Sequence, residues 1–387
     1  MNKKQNISTK ITHYGLSADE NFGIPNPPIY KASTILYKSM AHHRKEIHSD
    51  FTYGRRGTPT SKAFEEVVAK LYNGGDCIST PSGLSAITVA ILSVLKSNDH
   101  AIFPDNIYGS TRNFILEYLP KINVTYDFYN PCNLTHLSKI ITKNTKLIYI
   151  ESPGSLTFEL TDIKSIIKIA NKQNIKTIAD NTWGTFLHQP VLEMGVDIVV
   201  EAGTKYICGH SDTNLGIAVS RKGSENNLRN TRDTLGICAN SEDLYVGLRG
   251  IRTIKMRLKE SESNGFAIAK YLKQFKIVKE ILHPGLQDSK YKLVYKNHFL
   301  GSCGLFGFVL DPKIDQKKLD KAIEKMNLFK IGASWGGFES LIIQSHINKN
   351  LRKFKPDISE GHLIRLYTGF EDINDLKDDI KKMLSKL

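Results

Sequence analysis

Two ionisable residues stand where sheet enzymes do their chemistry. Asp180 ends the apolar run from Thr177 to Ala179, and Lys205 lies just past another, Ile198 to Val200. In an open α/β sheet, ligands collect outside the carboxyl ends of the strands, so both side chains point toward one crevice. A carboxylate and an amine there match two needs of pyridoxal phosphate: a partner for the ring nitrogen and a Schiff-base lysine. The pair also has plainer readings, since Asp180 suits a turn cap and Lys205 is one of 53 Lys and Arg residues. Ser82-Gly83-Leu84 adds a third element. It joins an extended stretch to a helix, whose free backbone N–H groups and positive dipole end can hold a phosphate. Thr204 brings a hydroxyl toward the same phosphate, although a Thr at a strand end is also an ordinary β-former. Neither G-x-x-x-x-G-K-[ST] nor G-x-G-x-x-G occurs, which sets aside P-loop and dinucleotide readings.

These residues need a sheet to position them, and the chain supplies one. From Pro59 helical and extended patterns alternate, the signature of a mostly parallel sheet with helices on both faces. Apolar strands are predicted at Ile78 to Pro81, Ala101 to Phe103, Val124 to Phe128, Leu147 to Ile150, Thr177 to Ala179, Ile198 to Val200 and Ile217 to Ser220. Ser61 to Tyr72 and Ile163 to Asn174 have helical spacing. A long helix is predicted from Ser241 to about Lys273. Beyond it, strands at Cys303 to Leu310 and Leu341 to Gln344 and a final helix from Ile373 to Leu387 form a smaller α+β domain. The expected organisation is an extended N-terminal arm over residues 1–55 spent on a neighbouring subunit, a cofactor-binding α/β domain over 56–250, and the C-terminal domain over 251–387.

Composition narrows the setting. The chain has 387 residues, 40% hydrophobic and 24% charged, which suits two globular domains. Its net charge of +14 comes from dispersed lysines without an aromatic-basic motif or recognition helix, so solvated helix faces are favoured over a nucleic-acid surface. Five cysteines form neither a C-x-x-C pair nor a metal spacing, which fits a reducing, cytoplasmic compartment. No apolar signal segment opens the chain. The run from Ala86 to Leu95 is about half the roughly 20 residues a membrane span needs, so a buried helix is predicted there.

The ordered blocks of this sequence resemble the pyridoxal-phosphate enzymes of cysteine and methionine metabolism, the transsulfuration group. They are Asn26-Pro27-Pro28-Ile29-Tyr30, Tyr53-Gly54-Arg55-Arg56-Gly57-Thr58-Pro59-Thr60, Ser82-Gly83-Leu84-Ser85-Ala86, Tyr108-Gly109-Ser110-Thr111, Asp180-Asn181-Thr182-Trp183, Thr204-Lys205-Tyr206, Ser334-Trp335-Gly336-Gly337-Phe338-Glu339-Ser340 and Ile364-Arg365-Leu366. The resemblance implies the aspartate aminotransferase type of fold (fold type I). It implies that Lys205 carries the cofactor and moves protons, that Asp180 pairs with the ring nitrogen, and that Tyr108 stacks on the ring. Ser82, Gly83, Leu84 and Thr204 would hold the phosphate, joined across a subunit interface by Tyr53 and Arg55 of a neighbour. Arg365 would grip the substrate α-carboxylate, with Ser334 in support and Trp335 and Tyr53 on the substrate side. A homotetramer built from two dimers with shared active sites is implied as well.

Trp335 also bears on the reaction, because γ-acting relatives usually carry Leu after that Ser while β-lyases carry Trp. The resemblance therefore implies β-elimination of L-cystathionine to homocysteine, pyruvate and ammonia. The alternatives are γ-synthase or γ-lyase chemistry and a side activity as an alanine racemase. Two departures stand out. Ala202 occupies a position where many relatives have a phosphate-binding Ser, and Ser110-Thr111 replaces the reactive Cys that methionine γ-lyases place after Tyr-Gly. Cys208 reads as a small buried filler.

Overall fold

The apolar runs assemble into two sheets. The computed structural model describes residues 5–46, 51–224, 227–347 and 352–387. The larger sheet holds β1 (Cys77–Thr80), β2 (His100–Pro104), β3 (Thr125–Tyr129), β4 (Thr145–Glu151), β5 (Lys176–Asp180), β6 (Ile198–Glu201) and β7 (Gly216–Ser220), in the order β1-β7-β6-β5-β4-β2-β3. The pairs from β6 to β3 are parallel, and β7 alone runs against its neighbours. Strands β2, β6 and β7 are buried along their whole length, as expected where helices cover both faces. Because β7 returns directly beside β6, the connection 202–215 stays at the carboxyl edge of the sheet. That connection holds Thr204 and Lys205.

Local chemistry sets where the helices begin. Thr58 Oγ1 accepts the Ser61 N–H (3.3 Å) while Ser61 Oγ accepts the Thr58 N–H (2.8 Å), a capping box with Pro59 in the first turn of the helix Pro59–Leu71. Ser82 caps the helix Gly83–Val94 by accepting the Ser85 N–H at 3.1 Å. Such a cap is worth about 1 kcal/mol. Burial of Ala86, Val89, Ala90 and Ile91 then fixes that helix against the sheet, as the apolar run requires.

The helix Ser241–Leu272 packs on Pro59–Leu71 at one end and on Ile373–Leu384 at the other, so it serves both halves of the molecule. The expected junction between residues 250 and 251 falls inside it. The second sheet contains β8 (Val278–Leu282), β9 (Leu305–Leu310), β10 (Lys330–Ile331), β11 (Leu341–Gln344) and β12 (His362–Tyr367), in the order β10-β11-β12-β9-β8. Phe306, Phe308, Ile364 and Leu366 point into a core shared with the helices Gln316–Glu324 and Ile373–Leu384. Among the described residues no helix is long and apolar enough to cross a membrane.

Among the described residues of the segment 1–55, the helices Ile7–His13 and Met40–Glu46 interrupt the extended course expected there. The first packs on its own chain: Ile11 is buried, and Arg252 Nη1 donates to the carbonyls of Ile11 (2.7 Å) and Thr12 (2.9 Å). A helix this short is unstable alone, so a partner 241 positions away decides its formation, and local periodicity does not reveal it. The rest of the segment exposes Phe22, Ile24, Leu36 and Met40.

Candidate active site

A cavity of about 570 Å³ opens at the carboxyl edge of the larger sheet, and Asp180 and Lys205 both line it. Ser82, Gly83, Leu84, Tyr108, Thr204, Trp335 and Arg365 line it too. A second cleft of similar volume, around Glu65, Asp76 and Arg229, holds none of the predicted site residues. Arg229 there pairs with Glu65 at 3.0 Å and with Asp76 at 2.6 Å.

Strand ends supply the acids. Asp180 closes β5, where its Oδ1 accepts the Thr182 N–H (3.0 Å) and hydroxyl (2.6 Å). Burial raises the Asp180 carboxyl above its ordinary range, and the Thr182 bonds offset only part of this. Register sets Glu151, at the end of β4, opposite Asp180. Burial and then the Asp180 charge push Glu151 up to about 8. Glu201, at the end of β6, is also pushed up to about 8 by burial and accepts a short hydrogen bond from the Tyr72 hydroxyl. Three adjacent strand ends therefore carry acids, and no cation is among the groups that shift them.

Lys205 follows a turn in which its N–H donates to the Ala202 carbonyl at 3.0 Å. Its Nζ donates to Ser334 Oγ at 2.5 Å and lies 5.5 Å from the centre of the Trp335 ring. Burial, helped by the nearby Arg365 guanidinium, pulls the Lys205 amine down to about 8, so it loses its proton far more readily than an exposed lysine. Arg365 sits on β12 between core residues Ile364 and Leu366, facing the other way as the alternation predicts. Its Nη2 donates to the carbonyls of Gly332 (3.2 Å) and Ser334 (3.3 Å). Ser334 thus touches both the amine and the guanidinium. The loop that carries it lies directly on Lys205: Gly336 has φ +88°, and a Cβ there would meet Lys205 backbone at 3.0 Å. Only glycine allows that approach.

Ser82, Gly83 and Leu84 form a helix start at the cavity. Ser82 caps the helix, and a Cβ on Gly83 would meet the Ala202 Cβ at 2.6 Å. Small residues at 83 and 202 therefore go together, which gives Ala202 a packing reason. Thr204 lines the cavity, but its hydroxyl donates to the Leu215 carbonyl (3.1 Å) and accepts the Leu215 N–H (2.8 Å), so it also acts as a strut for the loop. Tyr108 stands at the cavity, 46% exposed. Tyr53 and Arg55 do not line this cavity; Tyr53 is exposed, and Arg55 Nη1 donates to the Asp233 carbonyl at 2.6 Å.

Several wall residues escaped sequence reasoning. Glu151 follows an apolar strand as Asp180 does, so the strand-end rule alone points to it. Asp105, which accepts from Arg112 (2.9 Å) and from the Phe354 N–H (2.8 Å), draws the C-terminal chain onto the cavity wall. Only long-range folding reveals that role.

Comparison with known proteins decides the family. Residues 8–385 match the model of the Cys/Met metabolism PLP-dependent enzymes. The chain belongs to this family. It is 36% identical to a putative cystathionine beta-lyase of Rhizobium johnstonii, covering 97% of this chain and 95% of that protein. It is 33% identical to an L-alanine/L-glutamate racemase of Wolbachia pipientis, over 100% of this chain and 98% of that one. A cystathionine gamma synthase from Xanthomonas oryzae, solved with aminoacrylate and cysteine, superposes with a TM-score of 0.90 at 28% identity, covering 99% of each chain.

Pyridoxal phosphate is accordingly the cofactor, and the residues present fit it. A buried acid at Asp180, which no cation among the described residues is seen to shift, matches a protonated ring nitrogen. The capped helix start at Ser82 to Leu84 matches a phosphate, and the lowered Lys205 amine matches a carbonyl carbon.

Proposed function

We propose that this protein is a carbon–sulfur lyase that converts L-cystathionine and water to homocysteine, pyruvate and ammonia. The carrying observation is Trp335: its ring lies beside the Lys205 amine in the cavity wall, at the position where the resemblance gives Trp for β-lyases and Leu for γ-acting enzymes.

When bound, pyridoxal phosphate supplies the electron sink that makes the Cα proton acidic. The chain's own residues do the remainder. Arg365 grips the substrate α-carboxylate, and Ser334, in contact with both Arg365 and Lys205, aligns that end with the amine. Lys205 Nζ takes the Cα proton, and the sulfur on Cβ departs with its electron pair. Asp180 would hold a positive ring nitrogen, Ser82, Gly83, Leu84 and Thr204 would seat the phosphate, and Tyr108 would cover the ring.

Tyr53 and Arg55 lie away from their own cavity, on a segment that exposes Phe22, Ile24, Leu36 and Met40. In this reading that segment is buried against a second copy, whose cofactor phosphate Arg55 reaches; two such dimers form the tetramer. Free thiols at Cys77, Cys132, Cys208, Cys238 and Cys303 support a cytoplasmic setting.

Incubation with L-cystathionine and analysis of the oxo acid tests the reaction. Pyruvate with homocysteine is expected, whereas 2-oxobutyrate with cysteine would place the protein among the γ-lyases. Similarity to a racemase supports a minor second activity, which chiral analysis after incubation with L-alanine reads directly. Arg365→Leu removes the carboxylate grip, so KM for cystathionine should rise about 100-fold, as loss of a charged hydrogen-bond pair predicts, with a smaller change in kcat. Unchanged KM would assign the carboxylate to another residue.

A further inference from the structure

Glu151 has more partners than a cavity wall requires. It is 6% exposed, and its two oxygens take three donors. Oε2 accepts the Tyr108 backbone N–H at 2.8 Å, and Oε1 accepts the Ser155 N–H (3.1 Å) and hydroxyl (2.6 Å). The β4–β5 register places it opposite Asp180. The preceding strand residues Ile148, Tyr149 and Ile150 are all buried, so an apolar residue would suit packing at this position better. A buried carboxylate without a cation is costly unless its bonds matter.

Tyr108 shows what those bonds hold. It precedes the helix Gly109–Glu117, and its own side chain does not cap that helix start. Neighbouring Gly109 has no atom near its absent Cβ, so packing does not brace the turn there. Glu151 supplies the anchor, through the one backbone donor that lies at the root of the ring. We propose that Glu151 is a positioning residue: it fixes the Tyr108 ring over the cavity from the strand end next to Asp180, so that one side chain aligns the ring-stacking group with the ring-nitrogen partner. This rests on the reading of Tyr108 as the residue that covers the cofactor.

The test is a double-mutant cycle of Glu151→Gln and Tyr108→Ala, with Glu201→Gln as a second buried acid that does not touch Tyr108. In E151Q the new side-chain amide must turn its NH₂ toward either Tyr108 or Ser155, so one N–H donor loses its acceptor. Pyridoxal phosphate affinity of the cofactor-stripped proteins, read by tryptophan fluorescence, should fall about 10-fold in E151Q, the size of a charged hydrogen bond. In the Y108A background the additional loss from E151Q should shrink to within about 2-fold, whereas E201Q should have the same effect in both backgrounds. The kcat of E151Q should fall more than its KM rises. An equal loss from E151Q with and without Tyr108 would overturn the proposal. If E151Q fails to fold, Ser155→Ala, which removes the 2.6 Å donor and leaves both acids, should give the same coupling at about 3-fold. Additive S155A and Y108A losses would overturn the proposal equally. Failure of the Tyr108 reading itself looks different: Tyr108→Ala alone would leave the pyridoxal phosphate affinity of the wild-type protein unchanged.

Discussion

Lys205→Ala should lower kcat on L-cystathionine by about 10,000-fold, because in the proposed reading it removes both the covalent anchor and the general base. The fold should survive. Lys205 Nζ contributes a single hydrogen bond within the described residues, to Ser334, and its stem lines a cavity rather than filling a core. Thermal unfolding of the cofactor-free variant should therefore match that of the cofactor-free wild type to within a few °C. Steady-state kinetics and that melting curve together separate loss of chemistry from loss of structure. A variant that retains a tenth of the wild-type kcat would exclude Lys205 as the proton carrier.

Asp180→Asn should act in opposite directions on affinity and on stability. Pairing with a protonated ring nitrogen needs the carboxylate charge, so pyridoxal phosphate should bind at least about 100-fold more weakly and kcat should fall by a similar factor. Without cofactor, however, Asp180 and Glu151 are adjacent buried acids, both raised above their ordinary range. A raised folded-state value means that the protonated form suits the fold. The stabilisation is complete below the ordinary carboxyl value and is lost as pH rises through the folded value, about 8 for Glu151. Glu201, at the neighbouring strand end, is itself raised in part by the Asp180 charge, and the neutral donors of Thr182, Ser155 and Tyr108 contact the pair directly.

The Asp180→Asn variant keeps an Oδ1 acceptor for Thr182 and removes one of the competing charges. Without cofactor it should be more stable than the cofactor-free wild type by about 1–2 kcal/mol at about pH 8.5, with a smaller difference at about pH 6. Scanning calorimetry at the two pH values reads this directly. A variant less stable than wild type at the higher pH would show that the Asp180 charge is not a burden in the free protein.

Much of this arrangement is legible in the sequence because it follows short periodicities. Parallel strands of four to seven residues appear as apolar runs of three to five, and the rule that ligands sit beyond their carboxyl ends points to Asp180 and Lys205. Alternation alone shows Arg365 facing away from Ile364 and Leu366, and Ser82 stands out from its place between an extended stretch and an apolar helix. Glu151 obeys the same strand-end logic as Asp180, but the apolar run before it reads first as a core strand and hides the acid that ends it. The helix Ile7–His13 depends on Arg252 and Ile11 meeting, a contact no local window contains. The wall built from Asp105 and the chain near Phe354 has the same character. Tyr53 and Arg55 are singled out only by family resemblance, and they do not line the cavity.

The central claim is that Lys205 and Asp180 flank one cofactor in one cavity. The most direct measurement is borohydride reduction of the holoenzyme followed by peptide mass spectrometry, which makes the cofactor–lysine link permanent. The account predicts one pyridoxyl group per chain, on the peptide containing Lys205. A pyridoxyl group on any other lysine, or none after incubation with excess pyridoxal phosphate, would contradict it.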